Sequence, residues 1–417
     1  MNDPLQRARL LIEQGRLPEA EPFLRQAIGQ DPENAHARFL LACALTDKPA
    51  NYREALQMIE SALALRPNEA LFHCERASIL VLLQRPADGL AAARAAKELD
   101  PELLHAYVAE GSALLALGRL REAESVAREA LRIDPDCEPA SAQLAHALRL
   151  QGKQAENAEQ IALMLARNPE SAQAHAAAGW SALQAGDAKA GQTHFLEALR
   201  LEPHNSYARD GLLEAYRARS PLYRAYLKYC FLTQRLSRTN RWVFILGVLL
   251  VAQFGSRILS DVYRPAGVAV VILYYLFVLW VWVARGVGTL FILSDRFARR
   301  ALRAGEIAEG IIVGGGVVFG VCLLVFGLLR SADATLLTGI TLLSAAFPLA
   351  LVFTNRSQVG RWLFAALGVT IYFLGIVGLL ALFGFFPEDL SVQCLWCVLG
   401  ISLVSTWLGN IHQLRRG

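Results

Sequence analysis

Through residues 1–219 apolar and small positions recur in short helix-length stretches separated by polar breaks, and from about residue 242 they give way to long, nearly unbroken apolar runs. The first region is cyclic. Pro32, Pro67, Pro101, Pro135, Pro169 and Pro203 follow one another at intervals of 35, 34, 34, 34 and 34 residues. A period of 34 is the length of one helix–turn–helix unit in a stacked array. The apolar runs are long enough for membrane helices, which need about 20 residues each. The pattern therefore predicts an all-α chain with a repeat array at residues 1–219, a connecting segment at 220–241 and a membrane domain at 242–417.

Aligning the units on their prolines exposes the packing logic. Thirteen residues before each proline stand Ala20, Ala55, Gly89, Ala123, Asn157 and Gly191, all small or short. Five residues before stand Ala27, Ala62, Ala96, Ala130, Met164 and Ala198. Small side chains there let the two helices of a unit approach closely. Leu24, Ile59, Ala93, Ala127, Ile161 and Phe195 fill the space between units. Each proline stops the second helix of its unit. Gly15, Gly118, Gly152 and Gly186 mark the turn inside four of them.

Together these features resemble the tetratricopeptide repeat (TPR) family, most clearly in the fourth unit with Tyr107, Gly111, Leu114, Ala123, Ala130 and Pro135. The fifth unit departs, with Asn157 where alanine is usual, and is expected to pack more loosely. The resemblance implies a solenoid whose first helices line a groove for a protein or peptide. It also implies a helix after Pro203, from Asn205 to about Arg219, that caps the last apolar face. The groove positions carried over are Arg9, Leu40, His105, Val108, Ser112, His146, Arg149, Trp180 and Tyr207. The Lys/Asn set with which some members of the family clamp a C-terminal carboxylate is not visible. The expected ligand is an apolar or helical segment, with Trp180 as an aromatic anchor.

After Ser220-Pro221, the residues Leu222, Tyr223, Tyr226, Leu227, Cys230 and Phe231 recur at helical spacing beside Arg224, Lys228, Arg235 and Arg238. This reads as an amphipathic juxtamembrane helix in the membrane interface. Six spans follow, at about 242–260, 266–284, 311–329, 335–353, 362–386 and 393–410. Trp242 and Trp362 stand at span ends, as interface anchors do. By these boundaries no Asp, Glu, Lys or His lies deep in a span. Gly310-x-x-x-Gly314 and Gly316-x-x-x-Gly320 favour close helix contact, within the bundle or between copies.

Charge orients the chain. Residues 1–220 hold 24 basic and 30 acidic side chains, a balance of −6, whereas 221–417 hold 17 and 7, a balance of +10. The overall +4 is therefore no nucleic-acid signal. Arg285, Arg296, Arg299, Arg300, Arg303, Arg356, Arg361, Arg415 and Arg416 fall in segments read as inner loops or tail. The outer loops carry Arg257, Arg264 and Arg330, with Glu388 and Asp389 in the last. The positive-inside rule then puts both termini in the cytoplasm. Seven scattered cysteines fit reduced thiols. Arginine outnumbers lysine 36 to five, a bias of GC-rich genomes that points to a bacterial inner membrane.

Catalytic or cofactor chemistry finds no support. Cys394-Leu395-Trp396-Cys397 lies in an apolar span without a second ligand pair. Six spans are similar in number to rhomboid-type proteases, yet Gly400-Ile401-Ser402-Leu403 lacks the last glycine of GxSG and His412 lies past the last span. The expectation is a non-enzymatic adaptor without cofactor or metal. Its cytoplasmic groove recruits a protein or peptide, and its spans hold it in the bilayer, with a membrane protein or a second copy as a further possible partner. The alternative is a TPR-regulated membrane transport or channel component.

Overall fold

The computed structural model describes residues 3–234, 238–296, 298–355, 357–387 and 389–409. Arg235, Arg356, Glu388, His412, Arg415 and Arg416 lie outside the described residues, as do the side chains of Trp242, Arg264 and Arg238. Among the described residues there is no strand, and the all-α expectation holds. The chain divides into two compact units, residues 1–181 with 197–205, and residues 182–196 with 206–417.

The repeats are α1 (Pro4–Glu13) and α2 (Leu17–Gln30), α3 (Ala35–Leu45) and α4 (Tyr52–Leu65), α5 (Ala70–Leu82) and α6 (Pro86–Leu99), α7 (Leu104–Leu117) and α8 (Leu120–Ile133), α9 (Glu138–Gln151) and α10 (Gln154–Arg167), α11 (Ala172–Ala185) and α12 (Ala188–Leu201). The extra residue of the 35-residue interval falls in the second unit, where a 3₁₀ turn at Pro49–Asn51 precedes α4. Gly15, Gly118, Gly152 and Gly186 all take the left-handed conformation that ends a first helix, with φ between 72° and 93°. The small positions are buried as expected: Ala20, Ala55, Ala62, Ala96 and Ala123 are closed to solvent.

A second regularity fixes the units. In four units the side chain six residues after the proline reaches back to that proline's carbonyl. Arg38 donates to Pro32 O, Tyr107 Oη donates to Pro101 O at 2.8 Å, and His73 and His175 contact Pro67 O and Pro169 O at 2.8 and 3.0 Å. This satisfies a carbonyl at the break where helical bonding stops. Asn157 is buried, and its Nδ2 donates to Ser181 Oγ at 3.1 Å. A specific polar bond thus stands where looser packing was expected.

In the second unit α13 (Ser206–Arg217) and α14 (Pro221–Gln234) precede α15 (Arg238–Val262), α16 (Arg264–Leu293), α17 (Ala304–Glu309), α18 (Gly315–Arg330), α19 (Asp333–Thr354), α20 (Gln358–Leu382) and α21 (Asp389–Leu408). Among the described residues, five segments are long and apolar enough to cross a membrane: Leu276–Leu293, Ala304–Arg330, Asp333–Thr354, Gln358–Leu382 and Asp389–Thr406. The expected first span, 242–260, coincides with α15, several of whose side chains lie outside the described residues.

Two expectations change here. The inner loop read as 285–310 is largely helix, because α16 continues to Leu293 and α17 starts at Ala304. Arg285 and Glu309 are therefore helical residues inside those segments, and Glu309 is 3% exposed. By these longer bounds Glu306 and Glu309 fall in the first turns of Ala304–Arg330, and Arg285, 3.5 Å from Glu309, falls within Leu276–Leu293. The aromatic face of α14 was expected to meet lipid. Tyr223, Leu227 and Phe231 are instead buried, with Tyr223 against Gly288 of α16 and Tyr229 edge-on to Phe277 at 5.2 Å. Packing large aromatic area against protein outweighs leaving it at an interface.

Of the glycines expected to favour close helix contact, Gly310, Gly314 and Gly320 meet neighbouring helices of this chain, whereas Gly316 faces open space. A Cβ on Gly314 would strike the Gly286 carbonyl group, and one on Gly339 would lie 2.9 Å from Gly320 O. Gly310 and Gly320 are similarly close to α16 and α19.

Candidate functional site

The residues expected to line the groove do not form one surface in a single unit. Arg9 is exposed on α1, and Leu40 is partly buried on α3 against the core around Phe39 and Ile59. His105 is exposed on α7. Val108 and Ser112, one turn apart on α7, are joined by Gln143 of α9, whose Nε2 donates to Val108 O and Ser112 Oγ, each at 2.8 Å. His146 and Arg149 share a face of α9. Arg149 is buried, and its guanidinium lies over the Trp180 ring of α11, 5.5 Å from the centroid. This brings Arg149 and Trp180 together as a stacked pair. Burial, and then the nearby Arg149 charge, push the His146 pKa down to about 4, so it is neutral near pH 7. Tyr207 stands on α13, in the second unit, and is exposed.

The rest of this face is small or apolar. Ala44, Cys74 and Ala176 are buried; Ser78, Val81, Leu115 and Ala142 are half-buried. Burial pushes the Cys74 thiol up to about 12, so it is not a nucleophile at neutral pH.

On α7 and α8, buried carboxylates tie neighbouring units together. Glu110 of α7 accepts from Arg94 Nε of α6 at 3.0 Å and pairs with Lys97 Nζ at 3.4 Å. Lys97 also reaches Glu129 of α8 at 3.2 Å and lies 4.1 Å over the Tyr107 ring. Glu124 of α8 accepts from Lys153 Nζ at 2.8 Å and Gln151 Nε2 at 2.6 Å, and also from Arg128. Burial alone would raise the Glu124 pKa, and those donors outweigh it and hold it below the usual carboxylate range.

The sequence reading missed a charged cluster in the second unit. Arg217 is 3% exposed; its Nη1 donates to Glu214 Oε1 at 2.6 Å and its Nη2 to Thr289 Oγ1 of α16 at 3.0 Å. Tyr223 Oη donates to Glu214 Oε2 at 2.8 Å. Arg209 pairs with Glu306 of α17 and donates to Ala301 O at 2.8 Å. Arg285 of α16 lies 3.8 Å from Glu306 and 3.5 Å from Glu309. Three arginines thus face three glutamates. Burial opposes the charge on Arg217, but Glu214, Tyr223 and Glu309 hold its pKa above the ordinary arginine value. Burial, then Glu214, raise the Tyr223 phenol well above its usual range. A usable signal existed: Arg209 stands six residues after Pro203, the place whose side chain binds the proline carbonyl in four other units, and its charge pairs with α17 instead.

Among the described residues, no group of three or more His, Cys, Asp or Glu side chains could hold a metal ion.

The tetratricopeptide repeat family matches residues 11–73, 48–103 and 104–137. No match appears among the curated proteins. Among solved structures, the type IV pilus biogenesis factor PilW is similar at 21% identity over 51% of this chain and 97% of its own, with a TM-score of 0.43. A thermophilic TPR protein from Thermus thermophilus is similar at 21% identity over 43% and 98%, with a TM-score of 0.40. PilF of Pseudomonas aeruginosa is similar at 18% over 50% and 94%, with a TM-score of 0.39.

Proposed function

We propose, from the tetratricopeptide repeats that make up its N-terminal part, that this chain is a membrane-anchored scaffold. Its repeats hold a protein or peptide partner, and its apolar helices fix that partner at a bilayer. The observation that carries the reading is the pairing of family-matched repeats over residues 11–137 with five segments of membrane-crossing length among the described residues. The partner surface lies on the first helices around His105, Val108, Ser112, His146, Arg149 and Trp180, and it takes an apolar or helical segment. The division of labour follows residues 1–219, 220–241 and 242–417. Both termini face the cytoplasm of a bacterium whose inner membrane holds the spans, the orientation in which the basic loops lie inside.

The test is a photo-crosslinking side chain at His105 or Arg132, with the full chain in its native membrane. Capture of one protein from position 105, absent from 132 and lost on Trp180→Ala, is the expected result. Equal capture from both positions would overturn the groove assignment. Release of the chain by carbonate washing would overturn the anchor.

A second reading, a transport or channel component, draws on Arg285 and Glu309. Both sit within long apolar segments, and ionisable side chains there often mark a pathway. Their matching with Arg217, Glu214 and Glu306 gives them a structural use instead. Solute flux in liposomes containing the purified chain would restore the transport reading.

A further inference from the structure

Between α17 and α18 the helix does not stop. Ala304–Arg330 is continuous, and its middle turn, Gly310–Gly314, is π-helical. A π turn is an α-helix carrying one extra residue, and such turns concentrate at functional sites. Two further features converge on it. Gly315 and Gly316 follow immediately, and a Cβ built on either meets nothing within 4 Å. Packing does not require glycine there, unlike at Gly310 and Gly314, and two successive glycines loosen a helix. On the other side, the carboxylates directly preceding the turn are held from outside the helix: Glu306 by Arg209 of α13, and Glu309 beside Arg285 of α16.

We propose that Gly310–Gly316 is a register joint with two states, and that α13 latches it in the π state. If the extra residue is absorbed and the turn becomes α-helical, everything N-terminal to it rotates by about 100°, the angle per residue of an α-helix. Each side chain then takes the direction that its preceding neighbour holds in the π state. Glu306 swings away from Arg209, Ile307 takes its place, and Glu309 leaves its buried position beside Arg285. The ion pairs of α13 and α16 are therefore available in one register only. A shift of α13 is read out as rotation of Ala304–Glu309, and small residues at the joint keep the cost of switching low. A two-state element biased by contacts at one end is the physical basis of a conformational relay.

The register predicts which position faces α13, and this can be trapped. The full chain in detergent or liposomes carries Arg209→Cys with either Glu306→Cys or Ile307→Cys, in a background lacking its other cysteines, and is treated with a short bifunctional thiol reagent. Because Arg209→Cys itself opens the latch, both pairs crosslink. Adding Gly315→Ala and Gly316→Ala, which fit without steric conflict and favour continuous α-helix, shifts the ratio several-fold toward the Ile307→Cys pair. Crosslinking confined to the Glu306→Cys pair in every background would overturn the joint and leave a static π turn. Absence of either crosslink in protein of unchanged helicity would overturn the latch.

Discussion

Arg217 Nη2 donates to Thr289 Oγ1 at 3.0 Å, joining α13 to α16 across 72 residues of chain. The same guanidinium is bound to Glu214, which also accepts from Tyr223. Removing the arginine leaves half-buried Glu214 with Tyr223 alone and buried Thr289 Oγ1 without a donor. Arg217→Met is expected to cost about 3–5 kcal/mol, the range for breaking a buried ion pair from one side. Thr289→Val, which removes one neutral acceptor, is expected to cost about 1 kcal/mol. Thermal unfolding of the full chain in detergent measures the difference, and new proteolytic cleavage near α13 should accompany the first variant only.

Gly314 and Gly316 differ by two residues and should respond oppositely to alanine. A Cβ at Gly314 would meet backbone of Gly286, whose carbonyl carbon would lie 2.9 Å away, and backbone cannot step aside. Gly314→Ala is expected to destabilise the bundle by about 1–3 kcal/mol, as overpacking does. Gly316→Ala meets open space and should hold or raise the unfolding temperature. Equal sensitivity of the two would contradict the close approach of α16 at Gly314.

Asn157→Ala tests whether a buried polar pair stabilises its unit. The Asn157 amide nitrogen bonds Ser181, while its Oδ1 is buried without a hydrogen-bond partner. Both groups lose water, and one acceptor gains nothing in return. The alanine variant is expected to lie within about 1 kcal/mol of the parent, on the stabilising side, in denaturant titration. A large loss of stability would show that the Ser181 bond dominates.

His146 predicts a pH dependence. Its folded-state pKa of about 4 lies below the ordinary value of 6.5. The unfolded chain therefore binds more protons between those values, and stability falls as the pH drops from 6.5 toward 4. The contribution is complete above pH 6.5. Glu124, whose folded pKa is also depressed, adds loss of the same sign at the acid end. His146→Gln should flatten the decline between pH 6.5 and 4 when unfolding is followed across that range. An unchanged slope would mean that His146 is not the titrating group.

The repeat architecture was legible because each feature recurs. The prolines, the small positions from Ala20 to Gly191 and the left-handed glycines all report one local geometry, so six weak signals read as one strong one. The second unit gave less away. Composition located its long helices but placed their ends too early at Arg285 and too late at Glu309, since a hydropathy window treats charge as a stop. It cannot see that Arg209 and Arg285 lie beside Glu306 and Glu309 in space. The hinge stripe of Tyr223, Leu227 and Phe231 was read as facing the membrane interface, because periodicity alone does not say whether lipid or protein covers an apolar face. Among the residues expected to line the groove, spacing put Arg149 and Trp180 on α9 and α11. Their stacking, and the bridge from Gln143 to Ser112, depend on rotamers that no spacing rule fixes.

Lys97 has one mechanical consequence. It holds Glu110 and Glu129 while resting on Tyr107, so one ammonium group spans three successive helices, and Glu124 extends the chain of contacts through Arg128 and Lys153 toward α10. A stacked array held only by neighbour packing can peel one unit at a time. Stapled in this way, the middle units should yield as a block. Pulled from its N-terminus in an optical trap, the chain should shed its first helices in small steps and then give way at α6 through α10 in a single larger one.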